Sequence, residues 1–195
     1  MKLLYLHNAD VSGHTANLTQ VISMCNAFRL NKLQVVLLLP LPKNETSIET
    51  ESRLREIYNI RKDIEIIFFR NIFVKDKIRK FTHHFFIKKY IKKINPDLCY
   101  TRDVNFLSIC IKSKKKVIYE SHNYKIHNGS KKINSFLLKK LTRQSKSKEY
   151  LFMVTISNML KQHWISNGFE KSKIVSLHDG FIETKYINEI TKLDA

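Results

Sequence analysis

Four short polar stretches carry residue types that can do chemistry, and each follows an apolar run. Glu120-Ser121-His122-Asn123 comes directly after Val117-Ile118-Tyr119. A neutral imidazole there can accept or donate a hydrogen bond to a sugar hydroxyl, or it can serve structure alone. His7-Asn8-Ala9-Asp10-Val11-Ser12-Gly13-His14-Thr15 leaves the run Leu3–Leu6 and opens a helical pattern, a geometry suited to phosphate at a helix N-terminus. Its one glycine, Gly13, does not make a G-x-G-x-x-G loop and can also simply make the turn. Ser157-Asn158-Met159-Leu160 stands where a strand meets a helix. Ser157 suits an N-cap, with no Glu or Gln following to form a capping box, and ligand contact is its second reading. Arg102 lies between Thr101 and Asp103, where its guanidinium can meet a phosphate or pair with a neighbouring carboxylate.

No metal centre is expected. His83 and His84 are adjacent, so they diverge on a helix, and His122 and His127 have no cysteine near them. The sequence holds no P-loop, no Ser-His-Asp arrangement and no cysteine-nucleophile pattern.

The elements that must position these residues alternate in type. Strands are predicted at Leu3–Leu6, Val35–Leu39 (stopped by Pro40 and Pro42), Ile64–Phe68, Leu98–Thr101, Val117–Glu120, Leu151–Thr155 and Ile174–Leu177. Helices are predicted from Thr15 to Leu30, near Ile48–Tyr58, over Asp76–Ile94, from Asp103 to Lys112, from Lys131 to Lys148, and from Ser157 to Gly168. Asn95-Pro96-Asp97 closes the third helix, since proline disfavours helix in the residue before it. Asp179-Gly180 is expected to turn the chain after the last strand. Repeated alternation of this kind predicts an α/β fold: one Rossmann-like parallel sheet with helices on both faces, spanning residues 1–195. Ligands of such sheets bind at the carboxyl ends of the strands, which points to the loops after Leu6, Thr101, Glu120 and Thr155.

The length of 195 residues suffices for one domain with a real core. Four glycines and three prolines leave no room for a long flexible linker. The cysteines, Cys25, Cys99 and Cys110, are odd in number and sit among apolar residues, which predicts buried free thiols in a reducing compartment. Leu3–Leu6 is too short for a signal-peptide core and Val35–Leu41 too short to span a bilayer. The expected location is the cytoplasm, including the inner face of a membrane. Thirty-five basic residues against 17 acidic give a net charge of +18, which calls for an anionic partner. Composition alone does not choose among a membrane surface, a nucleic acid and a phosphorylated substrate.

Taken together, the segments resemble the N-terminal, acceptor-side domain of a GT-B glycosyltransferase of family 4. Pro96-Asp97-Leu98-Cys99-Tyr100-Thr101-Arg102 looks like the family's strand entering the cleft, and Val117 to Asn123 like its histidine-bearing strand end. Val154-Thr155-Ile156-Ser157, Lys173 to Leu177 and Asp179-Gly180 look like the segment before the interdomain linker. The resemblance implies that His122 is the catalytic residue, near the transferred sugar and the acceptor. It implies substrate binding by Gly13, His14, Arg102, Glu120, Asn123 and Ser157, with Gly13 letting the first loop approach the donor diphosphate. The donor is a nucleotide-sugar co-substrate, no cofactor is implied, and transfer is of the retaining type. The chain departs from the family in having one glycine in the first loop, and His178-Asp179 in place of Pro-Asn. The family's paired-glutamate donor motif belongs to a C-terminal domain that this chain is expected to lack. The complete protein would then be a hexosyltransferase, inactive as this chain alone, whose partners are a donor-binding domain or subunit and a glycan or lipid-linked acceptor.

Two helices carry the basic surface. On Lys131–Lys148, Ile133, Leu137 and Leu141 share one face while Lys132, Lys139, Arg143 and Lys146 cluster on the other. On Asp76–Ile94, Ile87, Tyr90, Ile91 and Ile94 form one stripe, and Ile78, Phe81 and Phe85 lie opposite with Lys88 and Lys92. Aromatics beside lysines suit an anionic membrane edge; ordinary solvated faces, or a helix broken near His83-His84, are the alternatives. The function predicted is therefore the acceptor-binding half of a nucleotide-sugar-dependent glycosyltransferase making a cell-surface or lipid-linked glycan. A non-catalytic, membrane-associated subunit of a split glycosyltransferase is the alternative. A nucleic-acid-binding Rossmann-like module fits least well, because the aromatics fall in helices and buried strands instead of exposed strand faces.

Overall fold

A computed structural model describes residues 1–8, 11–70, 76–125 and 131–177, and the backbone alone at 76–84 and 131. Its strands are β1 (Lys2–Leu6), β2 (Gln34–Leu41), β3 (Glu65–Arg70), β4 (Leu98–Thr101), β5 (Val117–Ser121), β6 (Tyr150–Thr155) and β7 (Ile174–Ser176). Between them run α1 (Ala16–Leu30), α2 (Ser47–Tyr58), α3 (Asp76–Ile94), α4 (Val104–Lys112), α5 (Lys131–Ser145) and α6 (Asn158–Ser166). Every strand pair is parallel, in the order β3-β2-β1-β4-β5-β6-β7. The chain is thus the Rossmann-like α/β sheet that alternation predicts.

Local chemistry starts and stops the helices. The side chains of Thr15, Asp103 and Ser157 cap α1, α4 and α6 by accepting from the backbone amides of their first turns. A capping box that the sequence reading passed over, Thr46 with Glu49, opens α2. Asn59 and Asn95 stop α2 and α3 in left-handed conformation, which asparagine tolerates better than most residues. Gly168, with φ of +87°, turns the chain after α6 at a position that disfavours any side chain.

Two boundaries need correction, and a third, that of α3, holds as predicted. Pro40 does not stop β2; it pairs with Phe69 inside the strand. The Leu38 carbonyl accepts from His7 on the β1 side, so the site where Pro40 lacks an N–H also faces that side, beyond the end of β1. The ladder to β3 loses nothing. Helix α5 ends at Ser145, short of Lys148. Helix α3 runs unbroken past His83 and His84. The calls on Phe81, His127, His178, Asp179 and Gly180 fall outside the described side chains and residues.

The sheet is covered on both faces. Leu18, Val21, Ile22 and Cys25 of α1 and Leu54 and Tyr58 of α2 pack on one. Ile87 and Ile91 of α3, most of α4, Leu141 of α5, and Leu160 and Trp164 of α6 pack on the other. All three cysteines are buried and free. No helix among the described residues is long and apolar enough to cross a membrane.

Candidate functional site

A doubly wound sheet opens where its strand order reverses. Here that is the seam between β1 and β4, with β2 and β3 beyond one and β5 to β7 beyond the other. Thr101 fastens the seam: its hydroxyl donates to the Leu6 carbonyl at 3.0 Å and accepts from the Asp103 amide at 3.1 Å.

Arg102 leaves the tip of β4 and gathers the site. Its Nε and Nη2 donate to Glu120 at 3.1 and 2.9 Å, a bidentate pair. Its Nη1 donates to Asn17 and Gln20 of α1 at 3.0 and 3.1 Å. The two charged side chains are only 11% and 4% exposed. A carboxylate this deep is costly unless its charge is matched, and Arg102 matches it. Arg102 is thus paired with a carboxylate of the neighbouring strand.

Glu120 also meets His122, with Nε2 and Oε1 2.5 Å apart, and accepts from the Tyr5 hydroxyl at 3.4 Å. Burial on its own would raise the Glu120 carboxyl. The His122 hydrogen bond and the charge and hydrogen bonds of Arg102 outweigh that and hold it at about 2. An ionised carboxylate only accepts, so Nε2 of His122 carries the hydrogen. Nδ1 is then the nitrogen left for a ligand hydroxyl, on a ring 21% exposed. The backbone around His122 is pinned: the indole of Trp164 donates to the Ser121 hydroxyl at 2.9 Å, which donates to the Asn123 carbonyl at 3.3 Å. Asn123 itself is exposed.

His7 at the tip of β1 is buried, and its Nε2 has no hydrogen-bond partner among the described residues. Burial, reinforced by the charge of Arg102 and opposed by Glu120, lowers it to about 4.

Two other predicted groups are held elsewhere. The Tyr58 hydroxyl donates to the Gly13 carbonyl at 3.2 Å and accepts from the Thr15 amide at 3.1 Å, and His14 stacks on its ring. Arg53 donates to the Val11 carbonyl at 2.9 Å. The first loop is therefore tied to α2, not to Arg102. Gly13 has no left-handed φ and, among the described residues, no atom within 4 Å of where a Cβ would stand, so none of them demands glycine there. Ser157 caps α6 and stays outside the Glu120 network.

The structure brings Arg102, Glu120 and His122 together and adds Tyr5, His7, Asn17, Gln20 and Trp164, which sequence reasoning did not single out. Asn17 and Gln20 left a trace, being polar, one turn apart and next to the apolar stripe of α1. Tyr5 left none, since it sits in an apolar run, and Trp164 reads with Leu160 as the ordinary core stripe of α6. On the β3 flank, a cavity of about 440 Å³ is lined by Leu41, Phe68, Arg70, Phe86 and Tyr90, beside the start of α2.

No family model matches the sequence, and no curated protein matches it. Solved structures do. HepE from Anabaena, in complex with UDP and glucose, aligns over 100% of this chain and 50% of its own, at 13% identity and a TM-score of 0.61. A glycosyltransferase from Rickettsia africae aligns over 99% and 49%, at 19% identity and 0.59. A UDP-GlcNAc 2-epimerase from Neisseria meningitidis, bound to UDP-GlcNAc, aligns over 99% and 52%, at 11% identity and 0.67. The fold is that of one half of a GT-B structure. The chain spans about half the length of the structures it matches. Transferases and epimerases share this fold, so the activity has to be argued from the site.

Proposed function

We propose that the chain is the acceptor-binding half of a nucleotide-sugar-dependent glycosyltransferase of family 4, completed by a donor-binding domain or subunit. The observation that carries this reading is the Arg102–Glu120–His122 network at the crevice edge. It fixes one imidazole nitrogen on a buried carboxylate and leaves the other for a sugar hydroxyl. His122 is the proposed catalytic residue, with Asn123 beside it. Arg102 and Glu120 position His122, and Gly13, His14 and Ser157 line the rim on either side. The cavity beside Phe68 and Arg70 gives an extended glycan or lipid-linked acceptor a second place to rest. Catalysis would rest on holding donor and acceptor in line and on stabilising the leaving diphosphate. The second task falls to the donor half, so this chain alone is proposed to be inactive.

The test is a titration of the isotope-labelled chain, followed at the His122 and Asn123 resonances. Simple glycosides and lipid-linked saccharides are expected to shift both, and free UDP is not expected to saturate below about millimolar. Tight UDP binding by the chain, or saccharide shifts confined to residues away from β5, would overturn the reading.

A further inference from the structure

The charge of this protein is one-sided. Helices α3 to α6, which cover one face of the sheet, carry fourteen Lys and Arg against a single acidic residue, Asp76. Helices α1 and α2, on the other face, carry three basic and three acidic residues. The two layers are of similar construction, so most of the excess belongs to one layer and not to the composition at large.

That surface also presents large apolar groups to solvent. Phe85 of α3 is 63% exposed and Phe136 of α5 is 68% exposed. Each lies about opposite its helix's buried residue, Ile87 and Leu141 respectively, at 100° per residue. Lys88 and Lys92 flank Phe85, and Lys132, Lys139 and Arg143 flank Phe136, all exposed. Shallow, open depressions of about 460 and 390 Å³ lie along α5, the first beside Lys132, Phe136 and Lys139, the second beside Lys139, Arg143 and Lys146. Short α4 packs between α3 and α5, which sets those helices about 16–20 Å apart at ordinary interaxial distances. The result is a broad basic plateau studded with phenylalanines.

We infer that the α3–α5 surface docks on an anionic lipid bilayer, with Phe85 and Phe136 entering the headgroup region and the lysines and arginine meeting lipid phosphates. A plateau two helices wide matches a plane better than it matches a strand of nucleic acid, which would seek a groove. Direction agrees as well. Both helices follow strands of a parallel sheet, so their N-terminal ends lie at the edge where His122 stands. Resting on the acceptor reading above, this surface would bring a lipid-linked acceptor to the crevice from the side.

The experiment is co-sedimentation of the chain with phosphatidylcholine vesicles, with and without phosphatidylglycerol. Binding is expected to require the anionic lipid and to persist at about 0.15 M salt. The pair Phe85→Ala and Phe136→Ala should lower the partition coefficient roughly tenfold at that salt. The triple change Lys132→Ala, Lys139→Ala and Arg143→Ala should lower it roughly a hundredfold. Lys62→Ala with Lys171→Ala, exposed lysines outside α3 to α6, should change nothing. Equal binding to neutral vesicles, equal loss in the control pair, or an oligonucleotide that stays bound in salt that strips the vesicles would each overturn the inference. Those failures would leave the His122 titration intact, and a failed titration would leave vesicle binding intact.

Discussion

Replacing Arg102 with alanine tests whether the site is built on a buried ion pair. The substitution removes two hydrogen bonds to Glu120 and two to α1, and strands a carboxylate that is 4% exposed. Breaking such a pair costs about 3–5 kcal/mol, against about 1 kcal/mol or less for an exposed one. The pH dependence adds a second signature. In the native chain, Glu120 is lowered from its ordinary 4.5 to about 2. A carboxyl depressed in the folded state stabilises fully above about pH 4.5 and loses that contribution, about 3 kcal/mol, as pH falls toward 2. Without the guanidinium, only the His122 hydrogen bond and charge oppose burial, so the carboxyl moves up, and the penalty of stranding it shrinks as Glu120 takes up a proton. Urea unfolding followed by circular dichroism at about pH 7.5 and about pH 5 should therefore show the gap between native and Arg102→Ala narrowing in acid. Adding Glu120→Gln to the variant should recover much of the loss at neutral pH. A gap under about 1 kcal/mol, or one that does not move with pH, would refute the buried pair.

Other parts of the site give sharper, smaller effects. His7 is neutral and buried, lowered from 6.5 to about 4. Its stabilising share is complete above about pH 6.5 and drains as pH falls toward 4, by roughly 1 kcal/mol at pH 5.5 and roughly 3 kcal/mol at pH 4.5. His7→Phe should remove that slope, and parallel native and variant stabilities over this range would count against it. Trp164→Phe deletes the donor to Ser121 and should lower the urea midpoint by the equivalent of about 1–2 kcal/mol with an unchanged m-value. An unmoved midpoint would mean that the indole hydrogen bond does not hold the His122 strand end.

The fold was legible because each local rule agreed with the next. Apolar runs of strand length, caps at Thr15 and Ser157, and the break at Asn95-Pro96 all pointed to one alternating order, and a parallel sheet follows from alternation. Pro40 misled because the rule against proline in strands holds only where the missing donor has a neighbour to meet. The site was half legible. Arg102 and Glu120 are 18 residues apart, and nothing local shows that their strand tips are adjacent; that follows only from the order of β4 and β5. Phe136 was hidden differently. It stands between residues of the helix's apolar stripe, and its exposure emerges only once Leu141 and Ser145 are seen to be what α5 buries.

Chemistry and attachment are assigned to different parts of the molecule, and electrostatics explains why that division works. Inside the crevice the Arg102 charge is matched by Glu120 at contact distance, so the pair presents little net field to a ligand, and the role proposed for His122 is hydrogen bonding. The uncompensated charge sits on the outer faces of α3 and α5, where water and salt screen it over about 8–10 Å. Beyond that range the plateau cannot set the protonation of His122 or Glu120, and the ion pair cannot steer the chain to a surface. Substitutions at Lys132, Lys139 and Arg143 should therefore change where the protein resides and leave the acid stability of Glu120 where it was. A shift of that acid transition in the triple variant would show that the two regions are coupled through the sheet, and the division would have to be abandoned.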